Sequence, residues 1–286
     1  SITASGPAIY VSGYNGIQSS IMKFTLSSTG TMPTLSSAIV SAEMPVGEII
    51  HKIFYYLGYM MIGTNKGVRV ATVSETDGSL TYGPLLFETQ QPVYDFAARD
   101  HFVWATTGIY VEGQLEPGVT RIDLGNEVEP LRFAWANDLE FEGVYGHYTT
   151  SCAFLDGTSQ LAFCTAYANS ANGQIYLESA TNLVETGFIT TGNIRYSTLE
   201  PKNFKRLVAR GNFDYGTMAL ETVDSDGLEY DHITYNSETQ NVEVTTSQPA
   251  IAQEYVAYKF VLNRDATDTT LGPVSVSYTH LRAHET

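Results

Sequence analysis

Short apolar runs recur along this chain, each closed by a small or polar residue: Ile9-Tyr10-Val11-Ser12-Gly13, Tyr59-Met60-Met61-Ile62-Gly63, Phe102-Val103-Trp104-Ala105-Thr106 and Leu161-Ala162-Phe163-Cys164-Thr165. With Gly13, Gly63, Thr106 and Thr165 as register marks, the steps are 50, 43 and 59 residues. One four-stranded propeller blade occupies about 40–50 residues, and loop insertions lengthen it. A single blade cannot bury its own apolar face, so the spacing predicts antiparallel sheets stacked on one another. Gly-bearing turns fall between the runs, at Tyr14-Asn15-Gly16, Asn65-Lys66-Gly67, Thr76-Asp77-Gly78 and Asp156-Gly157 among others; these join antiparallel strands. Residues 49–87 read almost as a complete blade, with strands near 49–56, 59–64, 68–73 and 80–87. Blades one and three span 7–46 and 93–141, and a fourth runs from 143 to 189 with an insertion around 166–172. Four blades close poorly around a channel, so further blades are expected upstream of Ser1. No stretch sustains a 3.6-residue apolar period, which leaves almost no helix.

After Tyr196 the pattern changes. Pro201 cannot donate to a central ladder and marks a junction. Longer alternating strands follow, at 205–211, 217–223, 230–235, 242–246 and 255–263. In the last of these Val256, Tyr258, Phe260 and Leu262 share one face, while Ala257, Lys259 and Asn263 share the other. A period of two with one apolar face describes a sandwich with a solvated outer side. The expected fold is therefore all-β. Propeller-like blades over 1–195 lead into an antiparallel β-sandwich over 196–275, both truncated.

Composition sharpens this reading. Nineteen Tyr and thirteen Phe suit pleated, half-buried surfaces, and only 16% of residues are charged. Fifteen basic against thirty-one acidic residues give a formal charge of −16, which repels a phosphate backbone and argues against nucleic-acid binding. No apolar run reaches the roughly 18–20 residues of a membrane span.

Two segments carry resemblances. The run Thr191-Gly192-Asn193-Ile194-Arg195-Tyr196-Ser197-Thr198-Leu199-Glu200-Pro201-Lys202-Asn203-Phe204-Lys205-Arg206-Leu207 resembles a junction in tail proteins of long-tailed bacteriophages, where a propeller-like region leads into a sandwich. Tyr258-Lys259-Phe260-Val261-Leu262-Asn263-Arg264-Asp265, Asn65-Lys66-Gly67-Val68-Arg69-Val70 and Asp95-Phe96-Ala97-Ala98-Arg99-Asp100 are similar to the same group. That resemblance implies a structural component of the tail tip or baseplate, with no catalytic residues to carry over. It further implies assembly in bacterial cytoplasm, oligomerisation in the virion, other tail proteins as partners, and contact with a host-surface glycan or protein. Val276-Ser277-Tyr278-Thr279-His280-Leu281-Arg282-Ala283-His284-Glu285-Thr286 resembles one reading frame of a transposase-type sequencing adapter. On that reading genuine protein ends near 273–275, and 276–286 should make few contacts.

The chemistry-bearing motifs are few. There is no Gly-x-Ser-x-Gly elbow, phosphate-cradling loop or His-Glu-x-x-His. Ser74-Glu75-Thr76-Asp77-Gly78-Ser79 misses the Asp box of sialidase propellers by one place and reads as a hairpin turn. Asp224, Asp226 and Glu229 crowd a tight turn and form the one Ca²⁺ candidate, although their spacing falls short of an EF-hand and a solvated hairpin tip competes. Glu140 and Glu142 could pair as glycosidase carboxylates, but nothing in the sequence brings two acids together. His51, His101, His147 and His232 are scattered singly, against a metal site. Cys152 and Cys164 flank a hairpin at Asp156-Gly157-Thr158-Ser159; with Asp156 facing Gln160 they would stand opposite each other, and two reduced buried thiols are the expected state. No catalytic, cofactor or metal residue is assigned. The expected function is structural and non-enzymatic, at a phage tail tip. The alternatives are a secreted propeller glycosidase or polysaccharide lyase, and a cellular propeller for protein–protein contact.

Overall fold

The computed structural model describes the chain apart from residues 7, 32–33, 35–37, 75, 112–113, 141–145, 156, 168–172, 196–199, 203, 240–242, 246–251 and 283–286. The described residues contain strands and no helix. They divide into two compact units, Ser1–Glu178 and Ser179–Thr286.

The first unit is a row of antiparallel meanders, three of them four-stranded as a propeller blade is, and together they form a partial propeller. β1 (Ile2–Ser5), β2 (Ala8–Tyr14), β3 (Ser19–Thr25) and β4 (Ile39–Glu43) form the first sheet in sequence order. β5 (Ile50–Tyr56), β6 (Tyr59–Thr64), β7 (Gly67–Val73) and β8 (Leu80–Glu88) form the second, within a residue or so of expectation. β9 (Phe96–Arg99), β10 (Phe102–Val111), β11 (Gln114–Glu129) and β12 (Arg132–Glu140) form the third, and β13 (His147–Phe154), β14 (Leu161–Tyr167) and β15 (Gly173–Leu177) the fourth.

Alternation along these strands supplies two apolar faces to each inner sheet, and the core is layered accordingly. Tyr10 and Ile21 of the first sheet pack on Ile53, Met60 and Ile62 of the second. The opposite face of the second, with Met61, Val68 and Val70, meets Val103, Ile122 and Phe133 of the third. Trp104 and Val119, on the far side of the third, meet Cys152, Leu161 and Phe163 of the fourth. Trp104 is 3% exposed, as its mid-strand position predicts.

Polar groups also join the blades. In the turn that resembles an Asp box, the Asp77 carboxylate accepts hydrogen bonds from the Ser79 backbone N–H at 3.0 Å and hydroxyl at 2.8 Å. Bonds involving Ser74 and Ser79 hold the Asp77 pKa down at about 2. The Gly78 carbonyl then accepts the Tyr10 hydroxyl at 2.9 Å and the Ser41 hydroxyl at 3.1 Å, so this turn ties the second blade to the first. Within the second blade Arg69 grips Glu48 through Nε (2.8 Å) and Nη2 (2.9 Å), with a third bond from Nη1 to the Gly83 carbonyl at 3.0 Å.

The second unit is a sandwich. One sheet runs β16 (Thr186–Thr190), β21 (Ala257–Asn263), β18 (Thr217–Val223), β19 (Glu229–Tyr235). The other runs β20 (Glu243–Thr245), β17 (Phe204–Asn212), β22 (Val274–Arg282). Its core includes Phe213, Met218, Leu220, Tyr235, Val256, Tyr258 and Phe260. On the opposite face of β21, Lys259 bonds Glu221 at 3.0 Å and Glu229 at 2.9 Å, as the two-residue period requires.

Four expectations are corrected. The fourth blade does not extend to 189: β16 pairs with β21, from Thr186↔Asn263 to Thr190↔Lys259, and belongs to the sandwich. β21 lies inside its sheet and needs a ladder on each side, so it takes β16 and the fourth blade keeps three strands. The division accordingly falls at Glu178/Ser179 rather than near 195. The cysteines are not opposed, because Cys152 faces Phe163 and Cys164 faces Ser151. Leu155, not 156, bonds across to Gln160 (3.0 Å), and Ser159 takes a φ of 56°, so the loop carries one residue more than expected. A one-residue slip moves a side chain to the other face; the two thiols are free and lie on opposite sides of the sheet. Finally, 276–282 do not stay unengaged, and 283–286 lie outside the described residues. Residues 276–282 continue β22, pairing Ser277↔Arg210, Tyr278↔Ala209, Thr279↔Val208 and His280↔Leu207. Backbone pairing is indifferent to side-chain identity, and an open edge of β17 accepts any extended segment.

Candidate functional site

The sequence candidates do not assemble into a metal centre. Asp224 Oδ1 accepts the backbone N–H groups of Asp226 and Leu228, both at 2.9 Å, and Oδ2 accepts the Tyr230 hydroxyl at 3.1 Å. Burial works to raise the Asp224 pKa, but the hydrogen bonds outweigh it and the net direction is down. Glu229 is drawn away to Lys259. The turn is a hairpin tip but not a solvated one: Asp224 is buried, and its carboxylate is taken up by the turn's own backbone and by Tyr230. Among the described residues no three His, Cys, Asp or Glu side chains come together as metal ligands. The four histidines before residue 276 stay apart: His51 stands edge-on to Tyr94 (5.4 Å), His101 lies 3.7 Å from Asp123, His147 packs on Tyr167, and His232 bonds Thr222. Glu142 and the Glu140 side chain lie outside the described residues.

Where the first strands of neighbouring blades meet, one carboxylate dominates. Asp95, just before β9, pairs with Lys52 of β5 at 2.7 Å, accepts the Phe96 N–H at 3.0 Å, and takes the Cys152 N–H of β13 at 3.4 Å. It links three blades and has no second acid beside it among these contacts, so its role here is to hold the blades together.

A cleft with different chemistry opens between the end of β8 and the face of the third sheet turned toward it. It encloses about 220 Å³ and is lined by Phe87, Glu88, Thr89, Thr107, Gly108, Ile109, Glu116, Pro117, Gly118, Thr120, Trp135 and Asn137. Register explains the lining. Ile122↔Trp135 and Thr120↔Asn137 put Trp135 and Asn137 on the face shared with Thr107, whose partner across the sheet is Gly118. Trp135 is 46% exposed yet seated on buried Phe87, ring centroids 4.9 Å apart and tilted by 44°. Beside this platform runs a polar ladder: Thr107 and Thr120 hydroxyls lie 3.0 Å apart, and Thr120 donates to Asn137 Oδ1 at 3.0 Å. Gly108 closes the floor. A Cβ there would sit 2.9 Å from Gln91 Oε1 and 3.0 Å from the Glu116 carbonyl, so only glycine lets the strands approach this closely. Thr89 fixes the approach by bonding both the N–H and the carbonyl of Gly108 at 3.1 Å.

Two carboxylates line the cleft, Glu88 at its exposed rim and Glu116, only 4% exposed, within it; no Lys or Arg does. An aromatic face, hydroxyl and amide groups, and acids without cations can hold a polyhydroxylated ring: its C–H face stacks on indole and its hydroxyls bond the polar ladder. The volume falls below the roughly 300–1,000 Å³ of sites that enclose a drug-sized ligand, so the cleft suits one ring of a longer chain. Sequence reasoning missed this site. The signal was present in the spacing Phe133, Trp135, Asn137, which alternation places on one face.

No protein-family model and no curated protein matches the chain. Among solved structures it is similar to a glycoside hydrolase family 43 arabinoxylan arabinofuranohydrolase from Bacillus subtilis in complex with cellotetraose, at 9% identity and a TM-score of 0.30, over 99% of this chain and 78% of that one. It is also similar to an exo-β-1,3-galactanase from Phanerochaete chrysosporium with galactose, at 7% identity and a TM-score of 0.30, over 96% and 78%. A further glycoside hydrolase matches at 8% identity and a TM-score of 0.21, over 98% and 96%. The expectation of a non-enzyme is corrected on this finding, since these neighbours are enzymes. At such TM-scores the likeness assigns this chain neither activity nor substrate.

Proposed function

We propose that the chain is a glycan-contacting protein whose Trp135 cleft seats one neutral sugar ring. The observation that carries this reading is the half-exposed indole braced on buried Phe87 beside the Thr107–Thr120–Asn137 ladder. The acidic lining and the net charge of −16 favour neutral over acidic glycans. The tail tip or baseplate of a long-tailed bacteriophage is the setting that the sequence resemblance implies; tape-measure, portal or major-tail genes beside this one would support it, and their absence would count against it. Titration with neutral oligosaccharides in a calorimeter tests the cleft, because a calorimetric signal does not need the Trp that the variant removes. Trp135→Ala should weaken binding at least tenfold, about 1.4 kcal/mol, with little change in stability because the side chain is 46% exposed. Binding that Trp135→Ala leaves unchanged overturns the proposal.

A second reading, glycoside hydrolysis in the same cleft, is favoured by Glu88 and Glu116 both lining it. Release of new reducing ends that disappears in Glu88→Gln and Glu116→Gln would establish it over binding alone.

A further inference from the structure

The second unit holds a cleft whose lining differs from that of the Trp135 site. It encloses about 480 Å³ beside the start of β16 and the end of β21, with Leu183, Leu262, Leu271 and Pro273 among its walls and Arg264 as its one charged lining residue. Local pairing builds it. The ladder from Thr190↔Lys259 to Thr186↔Asn263 sets Gly187 opposite Leu262, and beyond it the Arg264 N–H bonds the Glu185 carbonyl at 3.0 Å. Alternation places Leu262 and Arg264 on the face that Phe260 presents to the sandwich core. Gly187 keeps the space open, since a Cβ there would meet nothing within 4 Å. The loop after Arg264 supplies a further wall, its ends joined by the Asp265 N–H on the Leu271 carbonyl at 2.9 Å.

In this apolar setting Arg264 Nε is buried and has no hydrogen-bond partner among the described residues. A buried charged donor without an acceptor costs stability and is rare in a finished fold. The acids next in sequence do not answer it: Asp265 accepts the N–H groups of Thr267 and Asp268, both at 2.8 Å, and Asp268 accepts the Thr270 hydroxyl at 2.6 Å. In the first unit Arg69 offers Nε and Nη2 side-on to the Glu48 carboxylate, and Arg264 can offer the same fork. We infer that this cleft binds a carboxylate borne on a compact apolar group, the carboxylate on the Arg264 fork and the hydrocarbon against Leu183, Leu262 and Leu271. The volume lies within the roughly 300–1,000 Å³ of small-molecule sites. A net charge of −16 opposes an anion at long range, but that field is screened over about 8 Å at physiological salt, whereas the fork acts at contact. A free organic acid and the C-terminal residue of a polypeptide share this chemistry.

The test uses the full chain in ligand-observed NMR titrations. The probes are 4-methylpentanoate, its neutral amide 4-methylpentanamide, and an N-acetylated Ala-Ala-Leu tripeptide with either a free or an amidated C-terminus. At least one of the two acids should bind with a Kd of about 1 mM or tighter, and its amide at least tenfold more weakly. Arg264→Gln should abolish that preference for acid over amide. Gly187→Leu should fill the cleft and block acid and amide alike without touching the guanidinium. Gly187 has no left-handed φ and its Cβ has room, so this variant should unfold no earlier than wild type and keeps the test decisive if Arg264→Gln fails to fold. Tighter binding of the tripeptide acid supports the site with a polypeptide C-terminus as its source; equal or tighter binding of 4-methylpentanoate supports it with a free acid. Acids and amides that bind alike overturn the inference. So does an absence of binding up to about 20 mM, or acid binding that survives Gly187→Leu.

Discussion

Trp104→Ala is the sharpest test of the layered core. The side chain is 3% exposed and lies between the third and fourth sheets with Val119, Cys152, Leu161 and Phe163. Its ring meets Phe154 edge-on at 5.0 Å and Phe102 at 5.9 Å, with Arg99 over its face at 5.6 Å. Truncating a buried Trp to Ala costs about 3–5 kcal/mol, from lost burial and the cavity left behind. The indole N–H also donates to Asp138 Oδ2 at 2.7 Å. Asp138 stays 32% exposed and lies 3.6 Å from Arg121, so water can replace that donor, and the bond adds about 1 kcal/mol at most. The expected loss is therefore about 4–5 kcal/mol, a third or more of the stability of a typical domain. Trp104→Phe keeps most of the buried ring and loses the N–H, for an expected cost of about 1–2 kcal/mol. Urea unfolding followed by Trp fluorescence reads the first unit alone, because the two Trp, 104 and 135, both lie in it; the variants retain Trp135. A loss under about 1 kcal/mol for Trp104→Ala refutes the buried placement. Equal losses for Ala and Phe would show that the hydrogen bond, not burial, dominates.

Two further outcomes follow from buried charge. Glu48→Ala strands the Arg69 guanidinium, whose side chain is 12% exposed, and should cost about 3–5 kcal/mol; Glu48→Leu combined with Arg69→Met should cost less than the single change, and a larger cost in urea unfolding refutes this. Burial lowers the pKa of both His51 and His232, outweighing the upward pull of Asp231 on the latter. The unfolded chain then takes up protons first, so stability is level above about pH 7 and falls as pH drops below the ordinary value near 6.5. The lowered carboxylates Asp77, Asp224, Asp265 and Asp268 lose their contribution only below about 3.8, outside that window. Midpoints measured from pH 8 to 5 should therefore decline in wild type and flatten when His51→Gln and His232→Gln are combined; an undiminished decline overturns the assignment.

The second blade was legible because every signal for it is local: alternation defines β5 to β8, and Gly58, Gly67 and Gly78, all at positive φ, mark their turns. The misreadings share the opposite property. Ser159 adopts a left-handed φ of 56° with no glycine to announce it, and that single loop residue decided which face each cysteine occupies. β16 looks like a fourth blade strand, yet its partner β21 lies some seventy positions further on, and no short-range pattern encodes that choice. The cleft drew Phe87, Thr107, Glu116 and Trp135 from four strands, so it became visible only once register was known.

The pairing schemes of the two units also set the order in which a growing chain can mature. In the first unit every ladder joins strands adjacent in sequence, so each blade can close soon after its last strand leaves the ribosome. In the second, β16 must wait for β21 and β17 for β22, which spans almost the whole of the unit before either sheet is complete. During synthesis the blades should already be protease-resistant while the apolar edge of β16, with Phe188 and Ile189 still 63% and 61% exposed even in the finished fold, remains open to chaperones or to mispairing.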